Sequence, residues 1–69
     1  MTRAEMEALV RDVCIHYGFP FEVVSVTASP EGWTVRVRGG TDGTVVFSVH
    51  DGRPLAMRVA IHERLQAES

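Results

Sequence analysis

Hydrophobic positions recur every three or four residues through the first part of this 69-residue chain, at Met6, Leu9, Val10, Val13 and Tyr17. That spacing puts one apolar stripe on a helix. Thr2 followed by Glu5 has the residue types of a capping box, in which hydroxyl and carboxylate each accept from an unpaired backbone donor at the helix start. Gly18 stands where a left-handed C-terminal cap favours glycine. The first helix is therefore predicted over about residues 3 to 17.

Beyond Phe19 the period drops to two. "FPFEVVSVTA" opens with a proline suited to the head of a strand and continues as a β-branched run, with Val24, Val26 and Ala28 expected on one side. "SPEG", residues 29 to 32, has the residues of a type I turn, so the next strand folds straight back. In "GWTVRVRGGTDGTVVFSVHDGRP", residues 32 to 54, strict alternation sets Val35, Val37, Val45, Phe47 and Val49 on one face, and the same parity makes Trp33 a core residue. Thr34, Arg36, Arg38, Thr44, Ser48 and His50 fall on the other face. The glycines of "GGTDG", residues 39 to 43, supply the second reversal, and the third strand runs from about Thr44 to His50.

Pro54 fits the first turn of a second helix over about residues 53 to 66, where its missing N–H costs nothing. Pro54, Met57, Ile61 and Leu65 share a narrow arc that should lie on the sheet, flanked by Leu55 and Val59. Arg58 and His62 fall beside that arc and are expected to carry their polar heads past it to water. The order is α-β-β-β-α in a single small α+β domain spanning residues 1 to 69. Its three-stranded antiparallel meander should carry both helices on one face and leave the arginine-bearing face open.

Composition narrows the function classes. With 45% hydrophobic and 23% charged residues the chain resembles ordinary globular proteins. Its apolar runs fall far short of the ~20 residues of a membrane span, and "MTRAEMEALV" lacks a signal-peptide core, so the expected place is the cytoplasm, with no membrane partner. Lysine and asparagine are absent and valine far outnumbers isoleucine, the usage of a GC-rich, bacterial genome. Arginine is then the default cation and not a residue chosen for phosphate.

Cys14 is the lone cysteine, so no disulfide staples the fold. Cys14, His16, His50 and His62 lack the paired spacing of a zinc site, and no cofactor or metal is expected. Ser48 and His50 share a strand face, but no glycine-framed nucleophile or elbow accompanies them, which argues against an enzyme.

A net charge of −2 disfavours phosphate partners overall. Locally the balance differs. Between Trp33 and Arg58, Arg36, Arg38, Arg53 and Arg58 stand against Asp42 and Asp51, whereas residues 1 to 32 are net acidic. Arg36, Arg38 and His50 on the open face, with Arg53 and Arg58 beyond its edge, form the candidate binding face.

In element order the chain resembles the double-stranded-RNA-binding domain, whose two helices pack on one face of a three-stranded meander. That resemblance implies RNA contacts near the start of the second helix, where "DGRPLAMR" holds Arg53 and Arg58. The family carries a lysine cluster there and a histidine between its first two strands; "SPEG" and "DGRPLAMR" contain neither. The expected function is a small non-enzymatic interaction module that binds a protein partner or its own copy through the open sheet face or an edge strand. The alternative is weak nucleic-acid (RNA) binding through the arginine-bearing face.

Overall fold

The capping box closes as its residue types require. The Glu5 N–H donates to Thr2 Oγ1 at 3.2 Å and the Thr2 N–H donates to Glu5 Oε1 at 2.8 Å. Those bonds hold the Glu5 carboxyl below the usual carboxylate range, the Thr2 backbone N–H contributing most. At the other end Gly18 adopts the left-handed conformation, φ 68°, and the Phe19 N–H donates to the Cys14 carbonyl at 2.9 Å.

The computed structural model describes residues 1–39 and 43–68. Helix α1 (Arg3–Tyr17) is followed by strands β1 (Phe21–Ser29), β2 (Gly32–Gly39) and β3 (Gly43–His50), then helix α2 (Pro54–Glu68). Both neighbouring pairs are antiparallel and the sheet order is β1-β2-β3, so the fold is α+β in the order read from the sequence. The middle of the reversal read in residues 39 to 43 lies outside the described residues.

Helix α1 lies against β1, α2 against β3, and the two helices touch each other. One apolar cluster joins them to the sheet. Met6, Val10, Val13 and Cys14 come from α1; Met57, Ile61 and Leu65 from α2; Phe21, Val26, Trp33, Val35, Val37, Val45, Phe47 and Val49 from the strands. Each large side chain removed from water here contributes on the order of 1.5–3 kcal/mol before entropy is charged against it. Burial of Cys14 pushes its thiol pKa up, as a buried sulfur among hydrocarbon requires.

The first strand departs from the expected alternation. Val23 pairs with Val37, yet the next partner pair is Ser25 with Arg36, so the register slips by one residue at Val24. That extra residue is the mark of a β-bulge. Val24 is consequently 48% exposed, and Phe21 and Val23 supply the core side of this end of the strand in its place. Ala28 is exposed too, at the far end of the strand. On the helices, Tyr17 and Pro54 lie on the predicted apolar arcs but remain exposed at the helix ends.

Gly32 marks a close approach of chain segments. A Cβ there would lie 2.2 Å from the Val49 carbonyl oxygen, a backbone atom that cannot swing aside. The Asp51 N–H also donates to the Glu31 carbonyl at 3.2 Å. The β1–β2 turn is thereby fastened to the end of β3.

Candidate interaction face

Cross-strand register orders the open face into rows. Glu22, Arg38 and Thr44 form the first; Ser25, Arg36 and Val46 the second; Thr27, Thr34 and Ser48 the third; Ser29, Gly32 and His50 the last. The second row departs most from a merely wetted surface. Val46 is directly opposite Arg36 and 46% exposed, and bulged Val24 is exposed on the other flank of the same row. Arg36 thus stands between Ser25 on β1 and the exposed Val46 on β3, with the exposed Val24 one residue before Ser25. Parity with Arg36 could have revealed Val46, since 36↔46 pairing follows from the register; Val24 could not be placed without the bulge.

The candidate cations do not share one surface. Arg38 makes an ion pair with Glu22 at 3.6 Å across the β1–β2 ladder, an exposed pair of little energetic worth. Arg58 is only partly exposed, and its head meets a carboxylate at the surface. Its guanidinium bonds the Asp12 carboxylate on α1, at the junction of the two helices and away from the open face. Arg53 is exposed in the segment between β3 and α2. Arg36 and His50 stand on the open face, without an ion pair among the described residues. Arg36 and Arg38 are therefore neighbours on the open face, His50 shares that face but lies two rows away at its other end, and Arg53 and Arg58 stand apart from all three.

His62 is likewise engaged. Its ring lies 4.1 Å from that of Tyr17 and 5.6 Å from that of Phe19, centroid to centroid. Phe19 in turn neighbours Phe21. This aromatic seam joins the end of α1 to the middle of α2. It links residues far apart in the chain, and no sequence spacing announced it.

Ser48 and His50 line a shallow depression of about 330 Å³ where the β1–β2 turn meets the end of β3, with Ser29, Pro30, Glu31, Thr34 and Val49 completing it. The close packing at Gly32 brings the turn up against the strand end and shapes this hollow. No hydrogen bond joins His50 to a serine or to Glu31 among the described residues. The hollow gathers three hydroxyls, an imidazole and a carboxylate, a set of hydrogen-bond donors and acceptors.

Among the described residues no group of histidine, cysteine, aspartate or glutamate could hold a metal ion, and no helix is long and apolar enough to cross a membrane. No protein-family model, curated protein or solved structure matches the chain.

Proposed function

We propose that this chain is a small non-enzymatic interaction module that receives a polypeptide partner on its sheet. The row Ser25–Arg36–Val46, with the bulged and exposed Val24 next to Ser25, carries the reading. An exposed cation with an exposed valine on each of the two flanking strands offers both burial area and a directional donor, the combination that anchors protein interfaces. The depression around His50 extends the same face with hydrogen-bonding groups.

The dispersal of the arginines favours this reading over the duplex-RNA one suggested by the element order. Phosphate binding gains from several cations aligned on one surface. Here Arg58 serves the helix junction and Arg38 is shared with Glu22.

Capture of partners by the immobilised chain tests the proposal, with Arg36→Glu and Val24→Asp as matched variants. A polypeptide retained by the parent chain should be lost from both. Equal retention by all three would remove the open face as the site. Amide NMR shifts during titration with labelled single-stranded and duplex RNA at low salt should stay flat; saturable shifts at Arg36, Arg38 and Arg53 would transfer the face to nucleic acid.

A further inference from the structure

The two outer strands end the sheet very differently. On β1 the register slip at Val24 breaks the ladder, Pro20 precedes the strand and Glu22 sets a charge near its start. These are the devices by which an edge is kept from pairing with another chain. On β3 the partners run without a break from Gly43 opposite Gly39 to His50 opposite Gly32. Its sequence, "GTVVFSVH", holds no proline and neither an acidic residue nor an arginine, and among the described residues no strand lies on its outer side.

Beside that edge lies a shallow, widely open groove of about 340 Å³, lined by Ser48 of β3 and by Ala60, Glu63, Arg64 and Ala67 of α2. The helix presents two alanines and one charge of each sign there. An incoming backbone could approach closely, and an identical surface would meet it without net repulsion.

We propose that the free edge of β3, with the α2 groove beside it, seats the β3 strand of a second copy, antiparallel about a two-fold axis, so that two chains share one continuous sheet. Antiparallel partners directly opposite each other lie on the same face. Val45, Phe47 and Val49 of both copies then stay on the helix-covered side, and Thr44, Val46 and Ser48 stay on the open side, so no buried residue has to turn outward. A two-fold contact also makes each patch its own complement. The two open faces become one surface of doubled width. The inference rests on the sheet being the interacting element, and it names the partner at this edge as the chain itself.

Sedimentation equilibrium of the full chain from micromolar to millimolar concentration, paired with amide hydrogen exchange at both extremes, tests it. The expected mass rises from 7.6 kDa towards twice that value. With it, the alternate β3 amides that do not face β2 should exchange at least about tenfold more slowly at high concentration. Ala60→Arg, an exposed change in the groove, should weaken association at least about tenfold with unchanged amide dispersion. Should that variant fail to fold, exchange in the parent chain decides alone. A mass of one chain throughout would overturn the inference and leave the open-face capture result intact. A dimer whose outward β3 amides remain unprotected would overturn it as well, placing the contact elsewhere.

Discussion

Along β2, Val35 and Val37 are sealed from solvent while Arg36 and Arg38, their neighbours in the chain, stand in it. The two sides of the sheet obey different demands. Residues on the covered side must fill a shared volume with both helices, so their size and apolarity are set by the side chains packed around them. Residues on the open side face water or an exposed partner, as Arg38 faces Glu22, and the exposed Val24 and Val46 serve no core. Exposed apolar side chains that packing does not require are a better pointer to binding than the arginines beside them, because a strand's outer face needs polar residues in any case.

The contrast breaks most visibly at Phe47. Phe47→Ala should cost about 3–5 kcal/mol, enough to unfold much of a domain this small. Thermal melts measure it, and Cys14 gives a second readout. Its thiol, buried and pushed up in pKa, should resist a thiol reagent in the parent chain and react readily in the variant. A fully stable Phe47→Ala protein would mean that the covered side is not the core.

Two valines on one strand sharpen the comparison with the chemistry held constant. Val26→Ala, at a position 2% exposed, should cost about 2 kcal/mol, two buried methyl groups' worth plus a residual cavity. Val24→Ala, one turn of the pleat earlier, should change stability by no more than about 0.5 kcal/mol. Denaturant titration of both measures the difference, and equal losses would place Val24 in the core and remove the bulge.

The smallest effect is expected at Arg36. Arg36→Ala should leave the melting curve within about 0.5 kcal/mol of the parent. A larger loss would show that the guanidinium supports the fold and is not held ready for a partner.

The sequence made much of this fold legible, for local reasons. Thr2, Glu5 and Gly18 announce a helix because capping is a matter of residues a turn apart, and β2 and β3 alternate so cleanly that one parity could only be the core. The slip in β1 escaped because Val23 and Val24 are identical side chains: a one-residue shift exchanges one valine for the other and leaves no trace in the pattern. Arg58 with Asp12, and His62 with Tyr17 and Phe19, escaped for a different reason. Their partners come from opposite ends of the chain, and which side of a helical stripe meets which neighbour is decided only when the elements pack. Of the candidate site, parity placed Arg36, Arg38 and His50 on one face; the hollow around His50 depends on how the turn closes at Gly32, which no pattern of residue types encodes.

The packing of α2 against both β3 and α1 also sets an order on synthesis. The helix that closes the core follows the three strands in the chain and leaves the ribosome after them, and until Met57, Ile61 and Leu65 arrive, the apolar side of β3 has no lid. During that interval a nascent chain presents Phe47 and Val49 together with a bare strand edge. Stalling translation within α2 would prolong the interval, and such half-closed chains would be the ones a chaperone meets.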